Sequence, residues 1–105
     1  MNLNIFILDY DPTKAAQMAS DRHTVKMILE SAQMLCTSIR IQGGIAPYRI
    51  THRNHPCTKW VTSNQGNWTW LRDYALALCT EYTHRYGRIH KSQEIIEDLN
   101  NSCIP

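Results

Sequence analysis

Residues 23–41 read HTVKMILESAQMLCTSIRI, and their spacing decides the fold class. Val25, Ile28, Leu29, Ala32, Leu35, Cys36 and Ile39 recur at intervals of three and four, the period of a helix with one face in a core. A second row, Met27, Met34 and Ile41, widens that apolar face. The remainder, His23, Lys26, Glu30, Gln33, Thr37 and Arg40, alternates by three and four and so projects from one side. An acid and two bases thus lie beside a broad apolar surface. Burial among apolar neighbours raises a carboxyl group's pKa, and a nearby Lys or His stabilises its anion, so Glu30 is a candidate acid with His23 and Lys26 as its helpers. The same spacing also describes an ordinary wet helix face with Lys26 and Glu30 as an i,i+4 pair.

Helix signals continue on both sides. Asp11-Pro12 is a capping residue followed by proline at the first helical position, and Ser20-Asp21 is a second cap, so a short first helix is expected to break before a long one from about Arg22 to Arg40. Gly43-Gly44 ends the long helix, and a loop from Ile45 to Asn54 follows. Asn54-His55-Pro56 starts a helical stretch over Cys57 to Ser63, and residues 64–67 interrupt it. From Trp68 the period returns in Leu71, Ala75, Leu78, Cys79 and Tyr82, ending at Tyr86-Gly87, and a last helix runs from about Ser92 to Leu99. The apolar run 3–8 reads as an extended segment with no strand to pair with. The expectation is one all-α domain over residues 1–105: a compact bundle of two long helices and one or two shorter ones, with an extended N-terminal segment.

Composition narrows the setting. A net charge of +2 permits a phosphate-rich partner without requiring one. Cysteines at 36, 57, 79 and 103 are too far apart for a C-x-x-C pair and read as reduced thiols. The opening MNLNIFILDYD lacks a basic segment and a long apolar run, so neither signal peptide nor membrane span is expected, and the chain reads as cytoplasmic.

Basic side chains concentrate in two places, the loop with Arg49, His52, Arg53, His55 and Lys59, and the turn with Arg85, Arg88, His90 and Lys91. Either suits phosphates, and Pro56 at a helix start leaves N–H groups facing an anion; solvated surface is the competing reading. His52-x-x-His55 is not an established ligand spacing, so no metal or other cofactor is expected, and His55 before Pro56 reads equally well as a cap. Trp68 fits the core row, whereas Trp70 falls off it and is the better candidate for meeting a base or a partner. Walker, nucleophile-elbow and dinucleotide motifs are missing from the sequence.

With these pieces together, the chain resembles a family of small phage proteins. The residues concerned are Asn4-Ile5-Phe6 with Asp11-Pro12, Asp21 to Glu30 with Ala32-Gln33, Thr51-His52-x-Asn54-His55-Pro56 with Trp60, Trp70-Leu71, and Glu81-Tyr82-Thr83-x-Arg85-Tyr86-Gly87 with His90. More distantly, the order of elements is similar to the pyrimidine dimer DNA glycosylases, all-helical DNA-repair enzymes in which an N-terminal amine attacks the sugar and a helix glutamate handles the protons. The resemblance implies that Glu30 is the catalytic acid, that Arg22, Lys26, Arg53 and Lys59 hold phosphates, and that a base is flipped from the stack. Asn2 is not small, so Met1 is expected to be retained, and the amine is its own or that of a lysine such as Lys26. The implied activity is glycosylase and AP-lyase chemistry on damaged or modified DNA, with RNA left open. The alternative is a non-enzymatic host-takeover or anti-defence factor that binds a protein partner.

Overall fold

The computed structural model describes residues 11–18, 20–51 and 53–99, the side chain of His23 excepted. Met1, His52 and the expected extended segment lie outside these residues. Five helices follow in order: α1 (Pro12–Met18), α2 (Asp21–Ile41), α3 (Pro56–Ser63), α4 (Gln65–Tyr86) and α5 (Gln93–Asp98). Among the described residues there is no strand, and the two long helices carry three short ones.

Local chemistry accounts for the boundaries. Asp11 Oδ1 accepts the N–H of Thr13 at 2.9 Å ahead of Pro12, the cap expected for α1. At the end of α2 the N–H of Gly44 donates to Ile39 O at 2.9 Å and that of Gly43 to Arg40 O at 3.1 Å, a Schellman motif. Gly43 takes a φ of 92° there, which a side chain would resist. The interruption before α4 is a single residue: extended Asn64 closes α3, and its Oδ1 accepts the N–H of Asn67 at 2.8 Å. Helix α4 therefore begins at Gln65, three residues before the strong apolar period, because a cap rather than a core residue sets its start.

Helix α4 runs antiparallel to α2. Trp68, near its start, donates from Nε1 to Leu35 O at 3.4 Å, while Arg85, near its end, donates from Nη1 to Thr24 Oγ1 at 3.1 Å. The side of α2 that meets α4 is therefore the line of Thr24, Ser31 and Ser38, all 0 % exposed, with Leu35 beside it. This corrects the expected orientation. Val25 and Leu29, expected in the core, are 40 % and 42 % exposed, whereas Glu30 and Thr37, expected on the wet line, are 2 % and 0 % exposed. The apolar residues of α2 cover so wide an arc that several placements bury most of them, and small residues at a spacing of seven allow α4 to approach closely. Residues 30–39 are buried throughout except for half-buried Gln33. Ala15 and Ala16 of α1, Val61 of α3 and Ile96 of α5 complete the core.

The loop after α2 is held at three points. Arg40 folds the chain back by donating from Nε and Nη2 to Ala46 O, at 2.9 and 2.6 Å. The Tyr48 hydroxyl meets Ser92 Oγ at 3.1 Å, and Thr37 Oγ1 both accepts the N–H of Thr51 at 3.0 Å and donates to Thr51 O at 3.1 Å. A long loop is thereby fixed against the helices that carry the candidate site.

Candidate functional site

The polar line of α2 passes from surface to interior. Arg22 and Lys26 are exposed; one turn after Lys26 comes Glu30, whose helical neighbours are Met27, Met34 and Gln33. Counting six residues from the Trp68–Leu35 contact along the antiparallel pair brings Tyr74 level with the 29–31 stretch of α2. The Tyr74 hydroxyl, Ser31 Oγ, Thr58 Oγ1 and Gln33 Oε1 are buried without a hydrogen-bond partner among the described residues. A core that leaves such groups unpaired sacrifices stability, and this pattern is common where a protein keeps polar capacity for a ligand or water. Burial pushes the Tyr74 hydroxyl up to about 12, so it is a donor at any physiological pH.

The two basic regions lie at opposite ends of α4, about 30 Å apart by helix rise. At the first, Arg53, Asn54 and Lys59 line a pocket of about 260 Å³ together with Ile41, Thr62 and Ser63. Asn54, Thr62 and Ser63 lacked any chemical signature in the sequence beyond the helix-start signal at Asn54. Arg49 is exposed on the loop outside this pocket. His55 is the cap of α3: its Nδ1 accepts the N–H of Cys57 at 3.1 Å, which occupies a donor that an anion would otherwise take.

At the other end, Arg88 and Lys91 are exposed but Arg85 is engaged. Its guanidinium donates to Asp21 Oδ1 at 3.0 Å, Glu81 Oε1 at 3.0 Å, Thr24 Oγ1 at 3.1 Å and Gln17 O at 3.3 Å, joining α1, α2 and α4. His90 is half-buried, its ring edge-on to Tyr82 at 5.0 Å and its Nδ1 accepting the N–H of Ser92 at 3.0 Å. Burial holds its pKa below the usual histidine value. Both side chains therefore have structural work at the places where phosphate contacts were expected.

The aromatic residues form one cluster. Trp70 stacks on Tyr74 with centroids 5.1 Å apart and meets Trp60 edge-on at 6.2 Å; both tryptophans are half-buried. Trp70 is thus partly accessible but braced from beneath. Cys36, Cys57 and Cys79 are thiols, and burial, with the charge of Glu97, pushes Cys79 up to about 12. Among the described residues, no group of three or more His, Cys, Asp or Glu side chains is placed to hold a metal ion, and no described helix is long and apolar enough to cross a membrane.

No curated protein and no solved structure matches the chain. The family model for pyrimidine dimer DNA glycosylase does match, over residues 3–95, a span that includes the buried glutamate, the basic loop and both long helices. The chain belongs to the pyrimidine dimer DNA glycosylase family.

Proposed function

We propose that this protein binds DNA and removes a damaged or modified base by glycosylase and AP-lyase chemistry centred on Glu30. The observation that carries the reading is a carboxylate 2 % exposed in the middle of α2, one turn from exposed Lys26, in a chain whose residues 3–95 match a glycosylase family. In the proposed step a primary amine attacks the sugar C1′ and the bond from C1′ to the base breaks. The base leaves with the bonding pair and takes up a proton. The amine gives up one proton, the C1′–O4′ bond breaks to open the sugar ring, O4′ takes up a proton, and C1′ is left as a protonated imine. The carboxyl group supplies the second of the two protons that the base and O4′ need; loss of a C2′ proton then expels the 3′-phosphate by β-elimination. Glu30 carries these protons, its apolar neighbours Met27 and Met34 keeping bulk water from the transfer. The amine is that of Met1 or Lys26, His23 assists from the same line of α2, and Arg22 with the exposed cations of the basic loop holds phosphates.

Borohydride trapping tests the chemistry. With a duplex carrying an abasic site or ultraviolet damage, reduction should give a covalent protein–DNA band, and Glu30→Gln should lower strand cleavage by about 10²-fold or more while binding stays within a few-fold. Equal loss of binding and cleavage would make Glu30 structural. Binding that weakens steeply with salt but gives no band on any duplex would leave a DNA-binding protein without the chemistry; salt-insensitive capture of a protein partner would point to the non-enzymatic reading.

A further inference from the structure

The loop between α2 and α3 is pinned on both sides of two residues. The Tyr48 hydroxyl meets Ser92 Oγ at 3.1 Å, and Thr51 is bound through its N–H and its carbonyl to Thr37 Oγ1, at 3.0 and 3.1 Å. Between these anchors lie only Arg49 and Ile50. Both are exposed, Ile50 by 42 %, although a loop free to move would fold an aliphatic side chain onto the core beside it. Arg49 makes no ion pair or side-chain hydrogen bond with a described residue, and no Asp or Glu occurs between Glu30 and Asp73. The tip is an aliphatic point held out to solvent in positive surroundings, which suits an anionic partner with an apolar interior.

The place of this tip follows from Thr37. That residue stands seven positions beyond Glu30 on α2, two turns and ~10 Å by helix rise, so both side chains leave the same face of the helix. Ile50, next to Thr51, therefore stands on the Glu30 side of α2. A nucleotide that reaches a carboxyl group 2 % exposed has left its stack, and the gap behind it has to stay open within a nucleotide's length of that carboxyl. An aliphatic side chain between base steps holds such a gap, since it meets the flat faces of the bases and needs no hydrogen-bond partner. We propose that Ile50 is a wedge that enters the base stack at the gap left by the turned-out nucleotide and so opens a duplex for Glu30. This rests on the glycosylase-type reading. Ile45 supplies the contrast: it is 89 % exposed but adjoins Ala46, whose carbonyl is held by Arg40 near the end of α2.

The test compares duplex with single strand. Duplexes carry 2-aminopurine, which brightens on unstacking, beside an abasic-site analogue; borohydride trapping is timed on the same sequence with a true abasic site, as duplex and as single strand. Wild-type protein should raise the fluorescence on binding. Ile50→Ala should remove most of that rise and slow trapping on the duplex about ten-fold, while trapping on the single strand, which has no gap to hold open, stays within about two-fold. Ile50→Leu and Ile45→Ala should both behave as wild type. Equal slowing on both substrates, no slowing on either, or no fluorescence rise with wild-type protein overturns the wedge and leaves the glycosylase reading standing. No trapping by wild-type protein on either substrate overturns the glycosylase reading and the wedge with it. An Ile50→Ala variant that keeps both DNA readouts but loses capture of a protein partner would assign the tip to a protein contact and refute the wedge.

Discussion

Thr37 offers the sharpest test of how the basic loop is held. Its side chain is 0 % exposed, and its hydroxyl replaces a strand partner for Thr51, accepting from the N–H at 3.0 Å and donating to the carbonyl at 3.1 Å. Thr37→Val keeps the shape and removes both bonds. Each such bond is worth about 0.5–1.5 kcal/mol net, and a stranded partner costs about 1–3 kcal/mol when water is excluded. Because Thr51 is half-buried, water relieves part of that penalty, so the expected loss is about 2–3 kcal/mol. Thr37→Ser keeps the hydroxyl and loses one methyl group, about 1 kcal/mol. Urea unfolding at constant m value should rank wild type above Thr37→Ser above Thr37→Val, with the Thr51 amide losing hydrogen-exchange protection only in the valine variant. A valine variant within 0.5 kcal/mol of wild type, or no worse than serine, would show that packing rather than the hydroxyl fixes the loop.

The other perturbations test separate contacts. Arg85→Met keeps the aliphatic stem but removes the fork that joins α1, α2 and α4, and should cost about 2 kcal/mol by thermal unfolding; 1 M salt should shrink the difference only partly, since the Asp21 arm is exposed and the Thr24 and Gln17 arms are not ionic. Tyr74→Phe removes a buried hydroxyl with no described partner, so stability should hold or rise by up to about 1 kcal/mol. In a 295 nm titration it should remove the step near pH 12 that burial of Tyr74 produces. His90, whose folded pKa is lowered by burial, contributes stability that is present above its unfolded pKa of about 6.5 and is lost as pH falls through the folded value. His90→Asn can still accept the Ser92 N–H without titrating, so stability measured from pH 7 down to 5 should fall less in the variant. An unchanged pH dependence would mean that the imidazole is solvated as well in the folded chain as in the unfolded one.

The helix ends were the most legible part of the sequence because each is set by chemistry within a few residues. Asp11 and Pro12 open α1, Gly43 closes α2, and Gly87, at a φ of 69°, closes α4. The facing of α2 was not legible. Its apolar rows span so much of the circumference that spacing cannot say which row α4 will take, and the line it took is marked by Thr24, Ser31 and Ser38, residues that a hydrophobicity pattern counts as polar. Glu30 stood out by its neighbours, but its burial follows from that choice of facing. Arg85 looked like a phosphate ligand because its partners Asp21 and Gln17 lie 64 and 68 residues away in the chain. His90 accepts the N–H of Ser92 only two residues on, a local cap like that of His55, but no proline or helix-start signal marked it in the sequence. The pocket was illegible because it is assembled from the end of α2, the end of a loop and one side of α3.

Net charge conceals the feature that best orients a polyanion on this molecule. The +2 total averages residues 31–72, with five Lys or Arg and no acid, against residues 1–30, with three Lys or Arg and four Asp or Glu, and residues 73–105, with three Lys or Arg and five Asp or Glu. At physiological ionic strength the Debye length is about 8 Å, far shorter than the ~30 Å between the two ends of α4, so an approaching phosphate responds to the nearer end and not to the sum. The acid-rich end has also committed Arg85 to ion pairs with Asp21 and Glu81. The field therefore favours an anion at the face built by the basic loop and α3, the face at which the proposed function places DNA. The single acid on α2 beyond Asp21 is Glu30, held beneath the surface, where it adds little repulsion to an approaching anion; on the proposed function, the nucleotide turned out of its stack is the group that has to reach it there.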